Sequence, residues 1–191
     1  MREFGIDEVG RGPLAGPVVS CCISFIDLNC GISVDDSKNL SPSKRSEIYN
    51  QLLAVYGKYV VWGIGVSCVN EIDSLNILNA TKLSMSRAFV ECKKLIGEPD
   101  VVLVDGNSKM DIPFDNVIPI VKGDKTSFSI GAASIVAKVL RDRLMDQLHI
   151  EYPVFDWLKN KGYGTLNHRK SIIENGLSPH HRRSFCKNLN V

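Results

Sequence analysis

The chain has no stretch approaching the roughly 18 uninterrupted apolar residues of a membrane-crossing helix, so no transmembrane segment is expected. It has no C-x-x-C pair. Its six cysteines (Cys21, Cys22, Cys30, Cys68, Cys92 and Cys186) are scattered and read as buried thiols of a reducing compartment rather than as a disulfide framework. His180, His181 and Cys186 lie close together, but the second ligand pair that zinc requires is missing. There is no internal repeat, no low-complexity segment and no heptad pattern, so a single monomeric unit is expected. The N-terminus, "MREFGIDEVG", carries acids where a secretory signal would be apolar, and a cytoplasmic protein is expected.

Acidic residues are almost absent from the tail. Residues 157–191 hold Lys159, Lys161, Arg169, Lys170, Arg182, Arg183 and Lys187 against Glu174 alone, a net +6. The whole chain carries only +2, so its first 156 residues carry −4. A basic end on an acidic body points to a polyanionic partner, with cations offsetting the acids of the body. The alternative is an uneven but merely solvated surface.

Apolar runs of strand length alternate with helical patterns. Strands are expected at "REFGIDEV", "PVVSCCISFI", "KYVVWGIGVSC", "DVVLVDG" and "VIPIVKGD". Ser41 and Pro42 open a helix that stops by Gly57, and a long helix is expected over 75–96, with Leu75, Leu78, Leu83, Phe89, Cys92 and Ile96 on its apolar side. "TSFSIGAASIVAKVLRDRLMDQL" predicts another long helix, whose small-residue first half must pack closely. Short helical pieces follow near "FDWLKN" and "LNHRKSIIEN", separated by the loop "KGYGT". The fold class is α/β with a mixed five-stranded sheet flanked by helices. The expected division is a main domain over 1–152 and a small helical C-terminal appendage over 153–191.

Four carboxylates stand where regular structure ends: Asp7 and Glu8 at the first strand, Asp105 closing "VVLVD", and Asp124 in "KGDKTS". Ligands of open α/β sheets collect beyond the carboxyl ends of strands. If the first and fourth strands are neighbours, Asp7 meets Asp105, and Asp124 reaches the same place from its helix start. Crowded carboxylates must share protons or hold cations, and hard oxygen ligands suit Mg²⁺ or Mn²⁺. Two such ions about 3.5–4 Å apart suit phosphodiester hydrolysis. The competing readings are an Asx turn at Asp105, a helix cap at Asp124 and a solvated strand end at Asp7 and Glu8. Asp7 and Glu8 point to opposite faces of a regular strand, so both serve one site only if the backbone turns at Glu8.

"DEVGRGPLAGPV" resembles the signature of the ribonuclease HII family (type 2 ribonuclease H). "DDSKNLS", "VLVDGN", "KGDKTSFSIGAASIVAKVLRDR", "KGYGT" and "SPHHRRSF" resemble further family segments in the family's order. The chain departs from the usual pattern at Gly131, Asn39 and His180, none of them a carboxylate. The resemblance implies a ribonuclease H-like fold and a Mg²⁺- or Mn²⁺-dependent endonuclease. The substrates it implies are RNA–DNA hybrids and duplex DNA containing single ribonucleotides, cut on the 5′ side of the ribonucleotide to leave 5′-phosphate and 3′-hydroxyl ends. It implies that Asp7, Glu8, Asp105 and Asp124 bind metal and catalyse, and that Gly10, Arg11 and Gly12 read the ribose 2′-hydroxyl. It also implies that Tyr163 stacks on the neighbouring deoxynucleotide. Lys38, Lys122, Lys125, Lys138, His168, Arg182 and Arg183 are expected phosphate contacts. The "GRGPLAG" form favours type HII over type HIII.

Overall fold

The computed structural model describes residues 1–32 and 40–189. Lys38, one of the expected phosphate contacts, lies outside the described residues.

The sheet is built from β1 (Glu3–Val9), β2 (Val18–Phe25), β3 (Val60–Ser67), β4 (Val101–Asp105) and β5 (Val117–Ile120), in the order β3-β2-β1-β4-β5. β1–β2 and β2–β3 pair antiparallel, while β1–β4 and β4–β5 pair parallel, so the sheet is mixed as expected. Pro119 is tolerated because β5 is an edge strand.

Side-chain alternation along β1 divides the molecule into two layers. Phe4 and Ile6 face a core with Met85, Phe89 and Cys92 from α3 (Ile77–Ile96). Glu3 points the other way and accepts a 2.5 Å bond from Ser129 Oγ at the start of α5 (Phe128–Glu151). On that second face Cys21 and Ile23 pack with Ala132, Ile135 and Val136 of α5 and with Ile48 and Leu52 of α1 (Pro42–Ala54). Asp7 pairs in register with Cys21 and so belongs to the α5 face. α1 begins as expected, with Ser41 accepting from the Lys44 amide at 3.2 Å and Pro42 in its first turn.

The long helix expected over 75–96 is present as α3, and a short helix that was not expected precedes it. α2 (Val69–Leu75) ends at Asn76, which takes φ 70 and caps α3 through its side chain, accepting from the Asn79 amide at 3.1 Å. The buried face of α3 is mostly small, with Ala80, Thr81, Ser84 and Ala88 alongside Met85, Phe89 and Cys92, whereas Leu75 and Leu78 are exposed. The cause lies in β3. A Cβ at Gly65 would fall on the Ser84 carbonyl oxygen and within 2.6 Å of the Ala88 amide nitrogen, so helix backbone lies directly on strand backbone there. Cys68, expected to be buried, caps α2 from an exposed position; all six cysteines are free thiols.

After α5 come a 3₁₀ turn (Pro153–Phe155), α6 (Trp157–Asn160), α7 (Leu166–Asn175) and α8 (Arg183–Cys186). Phe155, Trp157, Ile172 and Cys186 share a core with Met145 of α5 and with Leu14 and Ala15 of the β1–β2 loop. The C-terminal segment is therefore fastened to the loop that leaves β1. No helix among the described residues is long and apolar enough to cross a membrane.

Because α3 rests on bare strand backbone, Gly65→Ala should destabilise the fold by at least the ~1–3 kcal/mol of an overpacked core. Urea denaturation measures this, and an unchanged midpoint would show that the α3–β3 contact is looser than described.

Candidate active site

The parallel register sets Ile6 beside Val104, so Asp7 follows on β1 as Asp105 follows on β4. Beyond this point β4 ends, while β1 continues for two more residues paired only with β2. Asp7, Glu8 and Asp105 line one cavity of about 400 Å³, together with Val9, Gly10, Arg11, Gly12, Arg45, Ser134, Lys138 and Tyr163. The backbone does not turn at Glu8, as the sequence reading required. Pairing runs through Val9, opposite Val19, and the turn falls at Gly10, with φ 100. Glu8 reaches the cavity because no strand flanks β1 on its β4 side there.

Asp105 is fixed by its own accepted bond, with the Gly123 amide donating to Oδ1 at 2.7 Å. That bond brings α4 (Gly123–Thr126) to the end of β4 and sets Asp124 in the first turn of α4, where it is buried. Asp124 does not border the cavity itself, so three of the four acids share the cavity. Asp7 Oδ1 accepts from the Glu8 amide at 2.7 Å. Burial holds the Asp7 carboxyl well above its ordinary value; the charges of Glu8 and Asp105 push the same way, and a hydrogen bond from Ser134 opposes them. Burial also raises Glu8, opposed by Arg11, whose Nη1 lies 3.3 Å from Glu8 Oε1.

This donor set fits a hard divalent cation. It is oxygen only, it is anionic, and the charges of Glu8 and Asp105 make that of Asp7 harder to keep. Among the described residues, no three His, Cys, Asp or Glu side chains stand in ready ligating geometry. Asp105 Oδ1 is taken by the Gly123 amide and Glu8 Oε1 faces Arg11, which leaves the second oxygen of each carboxylate for a cation.

The "KGYGT" loop forms the facing wall. Leu14 N–H donates to the Gly162 carbonyl at 2.8 Å, and Tyr163 stands half exposed opposite Gly12. Behind it lies a closed aromatic network. Ser178 N–H donates to His181 Nδ1 at 2.9 Å, so neutral His181 carries its proton on Nε2. That proton faces His168 Nε2 at 3.1 Å, which also receives the Trp157 Nε1–H at 3.0 Å. His168 is thereby left to donate from Nδ1 to the Tyr163 carbonyl at 2.9 Å.

Two expected phosphate contacts are therefore corrected. His168 is buried, with both ring nitrogens engaged inside the protein, and its role is to hold the Tyr163 backbone. Arg182 is wholly buried and donates to the carbonyls of Gly10 (2.6 Å), Arg11 (3.0 Å) and Gly16 (2.7 and 2.9 Å). Arg183 is exposed, but its amide binds Asp73 and its side chain does not border the cavity. Lys122 and Lys125 are exposed around the start of α4, and Lys138 lies in the cavity wall, paired with Asp142 at 2.7 Å.

Three residues escaped the sequence reading. Arg45 lines the cavity from α1, and Ser134 bonds Asp7 from α5. Buried Arg141 donates to the carbonyls of Ala15, Pro17 and Lys161, each at 3.0 Å. The signal for Ser134 was its place in the small-residue half of α5. Arg45 and Arg141 sit in unremarkable charged helical text.

A mixed five-stranded sheet in this order, with acids at the ends of its two central parallel strands, is the ribonuclease H-like fold. The ribonuclease H2 of Pyrococcus horikoshii OT3 superposes with a TM-score of 0.79 at 24% identity, over 100% of this chain and 97% of that one. A Bst ribonuclease HIII solved in complex with Mn²⁺ matches at 0.74 and 19% identity, over 92% of this chain and 63% of the other. A sequence model of the ribonuclease HII family matches residues 4–188. The ribonuclease HII of Wolbachia sp. subsp. Drosophila simulans (strain wRi) is 52% identical over 183 residues, which is 95% of this chain and 88% of that protein. The chain belongs to the ribonuclease HII family, and is thus an endoribonuclease acting on the RNA of RNA–DNA hybrids.

Burial lowers His181 to about 4, with His168 and His180 adding repulsion, and burial lowers His168 as well. The unfolded chain takes up the His181 proton near 6.5, the folded chain only near 4. Stability is therefore full above about pH 6.5 and lost as pH falls toward 4. Urea midpoints measured from pH 7 to 4.5 should fall, with a shallower fall in His181→Gln. Equal slopes would remove His181 from the acid response.

Proposed function

We propose that this chain hydrolyses the phosphodiester on the 5′ side of a ribonucleotide, in RNA–DNA hybrids and at single ribonucleotides within duplex DNA, leaving 5′-phosphate and 3′-hydroxyl ends. Asp7, Glu8, Asp105 and Asp124 would hold the divalent ions. Mg²⁺ or Mn²⁺ held by these residues, as two ions, would supply Lewis-acid polarisation of the phosphoryl group and an activated water at neutral pH. The observation that carries this reading is the shared cavity. Its floor has three carboxylates, one wall has the Gly10–Gly12 backbone, and the opposite wall has an exposed tyrosine.

The protein's own groups divide the work. Asp7 and Asp105 are held by amide bonds at neighbouring strand ends, so their separation is set by the sheet rather than by loops. Ser134 favours the charged form of Asp7, which cation binding needs. The Gly10–Gly12 backbone lines the cavity and would distinguish ribose from deoxyribose there, because the 2′-hydroxyl is what marks RNA at a site. Stacking on Tyr163 would contribute roughly 1–3 kcal/mol. Lys138, Arg45 and the exposed Lys122 and Lys125 would neutralise phosphates beside the cavity.

One assay tests this reading. A duplex with a single ribonucleotide should be cut in Mg²⁺ or Mn²⁺ and left whole in EDTA. Asp105→Asn should abolish cutting while keeping the wild-type melting temperature, because an amide oxygen can still accept from Gly123. Binding without cutting, or cyclic 2′,3′-phosphate ends, would contradict the proposal.

A further inference from the structure

Arg182 is a costly way to stabilise a fold. Its guanidinium is wholly buried, and among the described residues no carboxylate forms an ion pair with it. Burial, followed by the nearby charge of Arg141, lowers it to about 9, so it stays cationic at neutral pH. An apolar side chain of similar volume fills such a space at least as favourably. Only a planar fork of five N–H donors, however, can hold the carbonyls of Gly10, Arg11 and Gly16 together. The Arg182 amide takes a fourth carbonyl, that of Leu14, at 2.8 Å. Arg141 takes those of Ala15 and Pro17. Of the eight loop residues 10–17, only Gly12 and Pro13 keep their carbonyls out of this grip.

Peptide planarity gives those bonds a consequence on the far side of the loop. No peptide bond here is cis, and in a trans peptide the C=O and the following N–H point in opposite directions. Drawing the Gly10 and Arg11 carbonyls down onto Arg182 turns the N–H groups of Arg11 and Gly12 away from it. Gly10, Arg11 and Gly12 border the cavity, whereas Arg182 does not. Among the described residues neither amide donates to another protein group. We propose that Arg182 is a positioning residue for ribose recognition: it aims the successive Arg11 and Gly12 amides into the cavity, where they donate to a ribose hydroxyl oxygen. This rests on the ribonucleotide reading above and adds what orients the recognising backbone. The arginine comes from the C-terminal segment, so that segment acts on the site through the loop, without itself touching substrate at this residue.

The test compares wild-type protein, Arg182→Lys and Met85→Ala, the last a loss of stability in the α3 core away from the site. Affinities are measured in EDTA for a duplex with one ribonucleotide, the same duplex all in DNA, and one with the ribonucleotide 2′-O-methylated. Lysine keeps the charge but cannot bridge three carbonyls. Arg182→Lys should lose the preference for the ribonucleotide duplex by roughly tenfold, the scale of one or two hydrogen bonds. Its affinity for the all-DNA duplex should stay within about threefold of wild type, and Met85→Ala should keep the preference. A wild-type preference in Arg182→Lys, or an equal loss in Met85→Ala, overturns the proposal. If Arg182→Lys does not fold, ¹⁵N spectra of the wild type decide. The Arg11 and Gly12 amides should shift with the ribonucleotide duplex and not with its deoxy counterpart, and equal shifts overturn it. A wild-type protein with no ribose preference at all overturns the underlying reading, and the positioning role with it.

Discussion

Everything at this site follows from placing like charges side by side where water is scarce. The β1–β4 pairing is parallel and in register, so Asp7, near the end of β1, and Asp105, which closes β4, come out at the same level of the sheet. Burial and the charges of Glu8 and Asp105 all push Asp7 toward its neutral form. A fold selected for stability alone would place apolar residues here. The arrangement makes sense if a cation relieves the repulsion, which is why the proposed chemistry is that of a divalent ion at a phosphodiester.

The walls of the cavity depend on the C-terminal segment. The β1–β2 loop has almost no regular structure of its own, yet its carbonyls are held by two buried arginines from distant parts of the chain. The tyrosine loop is held by the neutral His168–His181–Trp157 network and by the bond from Leu14 to Gly162. The β1–β2 loop shares one apolar core with the short helices, and Leu14 of that loop also bonds Gly162, so the two sides of the proposed substrate channel are braced against each other.

The strand ends were legible in the sequence because their physics is local. An uninterrupted apolar run marks a strand covered on both faces, and the acid that closes it marks the carboxyl end where ligands gather. The loop glycines and Tyr163 stood out for the same reason. What the sequence hid was burial. A basic tail reads as a phosphate-binding surface, yet Arg182 faces inward, Lys161 pairs with Asp146, and Lys170 lies 3.7 Å from Glu174. The field that reaches a polyanion is weaker than the count of charges suggests. The small-residue face of α3 was also hidden, because it only makes sense once the bare backbone of β3 lies beneath it.

The claim at the centre of this account is that the acids converge on a common cation site, and Mn²⁺ titration of ¹⁵N-labelled protein addresses it without substrate or turnover. Paramagnetic broadening should first erase the amides around residues 7–10, 105–106 and 123–124 together, and Asp7→Asn should weaken the effect at all three segments at once. Broadening that begins elsewhere, or that strikes these segments independently of one another, would contradict a shared site.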